Sequence, residues 1–155
     1  MKKIIIGIII LVLLLIVFIV FFKKNNNETI IEEDNDTVVV NTIKIIIEDK
    51  ELVVNLEDNL SAKALVDKLD EGDITIDAHD YGNFEKVGDL GFNLSRSDKY
   101  IKTEPGDVIL YNGNQICIYY DTNTWNFTRI GKIKISQEEL KSILGDGDIT
   151  FTIIK

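Results

Sequence analysis

His79 is the chain's one histidine and Cys117 its one cysteine, and between them they limit the nucleophilic or metal chemistry the sequence can assemble. A zinc site of the cysteine and histidine type needs several such ligands at fixed spacing, and a Ser-His-Asp triad needs an acid and a nucleophile patterned around the histidine. Neither pattern surrounds His79, which reads as a residue at a strand end. Cys117 stands between Ile116 and Ile118. That is the setting of a small core side chain, whereas an activated thiolate wants an electropositive, half-open neighbourhood. Asp70-Glu71-Gly72-Asp73 and Gly145-Asp146-Gly147-Asp148 have the composition of calcium loops. They lack the twelve-residue spacing and closing glutamate of an EF-hand, so both are read as turns, and no metal or cofactor is expected. Glu85 and Arg129 are read first as a solvated pair across strands and second as charges that orient a ligand. Trp125 and Phe127 lie in Asp121-Thr122-Asn123-Thr124-Trp125-Asn126-Phe127, otherwise a polar loop. Aromatics in such a loop either pin it to the body of the protein or line a groove.

The elements that must position these residues are mostly strands. Ile43, Ile45 and Ile47 alternate with Lys44, Ile46 and Glu48; Glu48 to Glu51 is a turn, and Leu52, Val54 and Leu56 follow on one face, which is a hairpin pattern. Asn59 or Ser61 caps a helix whose buried stripe is Ala64, Leu65, Val66 and Leu69, with Gly72 just past its end. Strands are expected at Asp73 to Ala78, Phe84 to Val87, Asp107 to Tyr111, Gln115 to Tyr120 and Thr128 to Lys134. Ser136 caps a second helix with Leu140, Ile143 and Leu144 inward, and Asp148 to Ile154 is a last strand. Eight or so short strands with two helices predict a mainly β domain over residues 42–155, closed into a barrel because closure removes exposed edges.

Ahead of that domain, the nineteen residues from Ile4 to Phe22 carry no charged or polar side chain, and lysine pairs close both ends. A helix of that length runs roughly 28 Å, close to the hydrocarbon thickness of a bilayer. A cleaved signal peptide would have a shorter apolar core and small residues after it, but Lys23-Lys24-Asn25 follows, so residues 1–24 are expected to be an uncleaved anchor in the lipid bilayer. Residues 25–41 hold five acidic side chains and no basic one. They are expected to be a flexible linker with a reach of about 20 to 25 Å. Beyond the anchor the chain carries thirteen basic against twenty-six acidic side chains, a charge of −13 that excludes nucleic acid as a partner. The short amino end favours a single-pass topology at the cell membrane with the domain outside the cytoplasm.

A series of segments then resembles bacterial cyclophilin-like domains: Asp80-Tyr81-Gly82-Asn83-Phe84-Glu85-Lys86-Val87, Leu90, Glu104-Pro105-Gly106-Asp107-Val108-Ile109-Leu110-Tyr111, Gln115-Ile116-Cys117-Ile118-Tyr119-Tyr120 and Ile130-Gly131-Lys132-Ile133. The resemblance implies a small β-barrel with two helices. Cyclophilins rotate peptide bonds before proline, using an arginine fork at the substrate amide beside an aromatic pocket. Against their Phe-His-Arg strand, Phe84-Glu85-Lys86 puts Lys86 at the arginine. Against Asn-Gly-Ser-Gln-Phe-Phe, Asn112 to Cys117 keeps the amide at Gln115 and puts Cys117 where a pocket phenylalanine stands; Trp125 matches a pocket tryptophan and Phe127 falls at the pocket histidine. The resemblance thus implies a cleft near Lys86, Gln115, Cys117, Trp125 and Phe127, with Glu85 and Arg129 as supporting charges and no catalytic set. The expected function is a membrane-anchored, non-catalytic module binding a peptide segment, a small ligand or a membrane-protein partner. A peptidyl-prolyl isomerase and a structural assembly partner are the alternatives.

Overall fold

A computed structural model of the protein describes residues 41–155; the apolar span expected over Ile4 to Phe22 and the acidic segment up to residue 40 lie outside them. Among the described residues no helix is long and apolar enough to cross a membrane. Strands β1 (Thr42–Ile47) and β2 (Lys50–Leu56) form the expected hairpin, with Ile43, Ile45, Ile47, Leu52 and Val54 buried. Helix α1 (Leu60–Leu69) starts at Asn59, whose side chain accepts from the Ala62 amide. It buries Ser61, Ala62, Leu65 and Leu69, while Ala64 and Val66 are only partly covered.

The remaining elements are β3 (Ile74–Tyr81), β4 (Glu85–Asp89), β5 (Lys99–Lys102), β6 (Asp107–Tyr111), β7 (Gln115–Tyr119), β8 (Thr124–Ile133), helix α2 (Gln137–Leu144) and β9 (Ile149–Ile154). Ser136 caps α2 by accepting from the Glu139 amide, and Leu140 and Leu144 face inward. Two elements depart from the sequence reading. Residues 124–127 are the first turn-free stretch of a ten-residue strand, and Lys99–Lys102 is a short strand opposite them. Both segments are largely polar and exposed on one side, so neither carries the apolar alternation that marks a strand.

All pairings are antiparallel, in the order β2-β1-β9-β3-β4-β7-β6-β8, and β8 returns to β2 to close an eight-stranded barrel; β5 hangs from the first half of β8. Closure runs through Val54 opposite Ile133, Asn55 opposite Lys132 and Leu56 opposite Gly131. The barrel interior is filled by Ile45, Val54, Ile76, Val108, Leu110, Ile116, Ile118, Ile130, Phe151 and Ile153 together with the inner faces of both helices. The opposite faces of β4, β6 and β7 hold a second cluster of Val87, Ile109, Cys117 and Tyr119, which Phe127 of β8 joins. Those three strands are therefore buried on both sides, as their unbroken burial shows.

At the closing seam the backbone of β2 comes so near β8 that a Cβ on Gly131 would lie 2.5 Å from the Asn55 carbonyl oxygen and 2.7 Å from Val54 Cγ1. Gly131→Ala must push the two strands apart. It is expected to lower the unfolding free energy by about 1 to 3 kcal/mol, measured by urea denaturation; an unchanged midpoint would show that the seam does not hold the barrel.

Candidate functional site

Strand β4 sorts its side chains by the two-residue period of a strand, and that sorting decides the site. Lys86 and Gly88 face the barrel interior, Glu85 and Val87 the outer cluster. In register, Tyr81, Glu85 and Tyr119 form one row across β3, β4 and β7, and His79, Val87 and Cys117 form the next. The two hairpins that end these rows turn on Gly82-Asn83 and Asn112-Gly113, all at positive φ, the conformation that two-residue hairpin turns demand. They place Tyr81 and Glu85 at one rim, Tyr111 and Gln115 at the other.

Between them opens a cleft of about 330 Å³, lined by His79, Tyr81, Glu85, Val87, Tyr111, Gln115, Asn123, Trp125 and Phe127. Its aromatic side chains form a connected belt. Tyr81 meets Phe84 edge-on at 5.9 Å, Phe84 stacks on Tyr119 at 5.9 Å, Tyr119 tilts against Phe127 at 5.6 Å, and Phe127 meets Tyr111 edge-on at 6.1 Å. Such contacts favour fixed ring positions beyond the area they bury. Phe127 is buried in the belt, whereas Trp125 and Tyr81 are each 57% exposed at the mouth.

The expected cleft residues divide accordingly. Gln115, Trp125 and Phe127 come together, and Cys117 lies directly beneath the floor, fully buried, where burial and the neighbouring Glu85 carboxyl push its thiol well above the ordinary range. Its reduced acidity removes thiolate chemistry at neutral pH. Lys86 does not reach the cleft. It points inward with no exposed surface, donating to Asp80 Oδ2 at 2.7 Å and to the Gly147 carbonyl at 2.6 Å, with the Tyr120 ring 5.8 Å away. Asp80 accepts also from the Tyr120 hydroxyl at 2.9 Å; burial raises its carboxyl, but the bonds from Lys86 and Tyr120 outweigh that and hold it below the usual range. Lys86 thus ties β4 and β3 to the loop between α2 and β9.

Arg129 is likewise engaged elsewhere. Its Nη2 donates to Asp107 at 3.0 Å, and Asp107, almost fully buried, also takes Lys132 at 3.0 Å and the Glu104 amide at 2.9 Å. Glu85 and Arg129 are not partners. Glu85 is instead the charged side chain of the cleft, 7% exposed, and its Oε2 has no hydrogen-bond partner among the described residues. Burial raises its carboxyl above the ordinary value, with Tyr119, Cys117 and His79 each pulling part of the way back. Sequence reasoning placed Lys86 where Glu85 stands because neighbouring strand positions differ only by face, and a one-residue shift exchanges the two. His79, Tyr81, Val87, Tyr111 and Asn123 were not anticipated as lining; a signal existed in the Gly82-Asn83 and Asn112-Gly113 turns, which bring their strand ends together.

A closed eight-stranded barrel with two helices and an aromatic cleft on its outer wall is the class of protein these features define. Residues 45–154 match the Cyclophilin-like family, and the chain belongs to it. Among solved structures, the solution structure of a hypothetical protein from Archaeoglobus fulgidus is similar, with a TM-score of 0.53 and 19% identity over 73% of this chain and 92% of that one. At that identity the likeness concerns the fold. No curated protein matches the chain.

The buried carboxyl has a measurable consequence. Since the folded-state value of Glu85 lies above its ordinary 4.5, the folded chain holds the proton more tightly than the unfolded one, and stability falls as pH rises from 4.5 through the folded-state value. Glu85→Gln, which cannot ionise, is expected to abolish that decline and to be more stable than the unsubstituted chain at neutral pH. Urea titrations of both proteins across that window measure it, and a less stable variant at neutral pH would contradict it.

Proposed function

We propose that the protein is a membrane-anchored, extracytoplasmic cyclophilin-like module that binds a peptide segment or small ligand in the Glu85 cleft without catalysing a reaction. The observation that carries this reading is the cleft itself, whose volume of about 330 Å³ falls within the usual range of small-molecule sites and whose walls combine fixed aromatic rings with a few convergent polar groups. The non-catalytic part rests on charge. Prolyl isomerisation as cyclophilins perform it asks for a guanidinium at the substrate amide, and the side chains lining this cleft include no arginine or lysine. Anchoring is supported by the uninterrupted apolar run from Ile4 to Phe22, and an outward orientation is compatible with a long downstream domain, which is translocated largely regardless of its charge.

Trp125 is the only tryptophan of the chain and stands at the cleft mouth, so its emission reports occupancy. Titrating the full chain in detergent micelles with a mixture of random pentapeptides is expected to shift that emission, and Phe127→Ala to weaken the response about tenfold, the effect of losing one well-packed aromatic anchor. The same preparation is expected to leave the cis-to-trans rate of a proline-containing peptide unchanged, and Lys86→Arg to add no activity because position 86 faces inward. A rate near that of working cyclophilins would overturn the non-catalytic reading. Protease added to intact cells is expected to remove the domain; complete protection would reverse the topology.

A further inference from the structure

Each of the other buried charges in the barrel is answered. Lys86 meets Asp80 and a carbonyl, and Asp107 meets Arg129, Lys132 and a backbone amide. Two buried side-chain atoms lack a hydrogen-bond partner among the described residues, Glu85 Oε2 and Arg129 Nε; the Arg129 guanidinium is held by Asp107 through Nη2, and of the two residues only Glu85 lines the cleft. A buried acceptor left open in a native structure calls for an explanation, and one that lines a cleft can be met by a group bound there.

The surroundings say what kind of group that is. From β3 come His79 and Tyr81, from β6 Tyr111, from β7 Gln115, Cys117 and Tyr119, and from β8 Trp125 and Phe127. His79 is the one side chain among these able to become positive, and it stands exposed at the edge. A carboxylate with no fixed counter-charge, walled by aromatic rings, complements an organic cation, which gains a charge-assisted hydrogen bond and the attraction of the ring faces together. The long-range field agrees: residues 41–155 carry thirteen basic and twenty-one acidic side chains, which draws cations toward the domain.

We propose that the cleft recognises an alkylammonium group, with Glu85 as its counter-charge and the rings of Tyr81, Tyr111, Trp125 and Phe127 as its walls. The proposal rests on the reading that this cleft binds a ligand. An alkylammonium reaches the cleft either as a free amine or as a lysine side chain on a peptide; Gln115 and Asn123, both half-buried at the lining, can hydrogen-bond a peptide backbone beside it.

Trp125 emission of the full chain in detergent micelles, titrated at about pH 8, tests this with two cations and two neutral isosteres. The probes are n-butylammonium and Nα-acetyl-lysine-N-methylamide, against n-butanol and Nα-acetyl-norleucine-N-methylamide. At least one cation is expected to bind about tenfold or more tightly than its isostere, and the stronger of the two identifies the source. Glu85→Gln is expected to erase the preference and Glu85→Asp, one methylene shorter, to retain it at reduced affinity; near-UV circular dichroism checks that both variants keep the fold. Lowering the pH toward the ordinary carboxylate range is expected to weaken cation binding, because burial raises the Glu85 carboxyl above its ordinary value and the protonated group no longer supplies the counter-charge. Tighter binding at low pH would show instead that a protonated Glu85 donates to a neutral acceptor, and would overturn the proposal. Equal binding of cation and isostere, unchanged in Glu85→Gln, would overturn it while leaving the cleft a binding site. Silence toward all four probes would also overturn it, and the binding reading itself falls only if the pentapeptide mixture is silent too.

Discussion

The pairing of Val54, Asn55 and Leu56 with Ile133, Lys132 and Gly131 gives this domain an inside and an outside. Without it the eight strands would be an open sheet with two exposed edges. With it, every strand side chain is assigned to a core or to an outer wall by parity alone. The strand that closes the barrel does a second task, because β8 is ten residues long and only its carboxyl half is needed for closure. Where β8 pairs with β6, the register shifts between Val108 and Ile109, with Ile130 of β8 as the extra residue, and the amino half of β8 carries on past the barrel to pair with β5. Phe127 and Trp125 ride on that extension, which is how an outer wall acquires an aromatic floor and a rim.

Parity also explains why two adjacent charged residues lead opposite lives. Lys86 and Glu85 are both almost free of solvent, and removing either charge from water is costly unless it is answered. Lys86 is answered three ways, by Asp80, by the Gly147 carbonyl and by the face of Tyr120. Its role is architectural. The Lys86 ammonium gathers β3, β4 and the α2–β9 loop at one place, and removing it would leave Asp80 with only the Tyr120 hydroxyl among those partners. Glu85, one step along the same strand, faces the outer cleft instead, where its Oε2 has no hydrogen-bond partner among the described residues.

Much of the architecture was legible in the sequence. The isoleucine alternation from Ile43 to Ile47, the cap at Ser136, the cap at Asn59 (one of two candidates with Ser61) and the apolar runs of β6 and β7 all match local preference to final environment, so strand and helix positions follow within a few residues. Lys99–Lys102 and the start of β8 were illegible for a physical reason. Their stability comes from pairing with each other, across more than twenty residues of chain, while Tyr100 and Trp125 remain in solvent. The site suffered from the same limit at finer grain. Gln115, Trp125 and Phe127 were placed together, but the choice between Glu85 and Lys86 depends on which face of β4 looks outward, and that is set by the register of β4 with β3 and β7 rather than by any residue of β4 itself.

The persistence of an unanswered carboxyl in so well-packed a wall is itself informative. The cluster around it is otherwise saturated: Tyr119, Phe127, Val87, Ile109 and Cys117 are all nearly free of solvent and in mutual contact. A residue such as leucine or methionine at position 85 would relieve the desolvation cost and join that apolar cluster, and stability alone favours it. Fixed rings around a group that would be more stable elsewhere are the arrangement expected when the group is held ready for something that arrives from outside, since preorganisation spends stability in the empty state to gain affinity in the filled one.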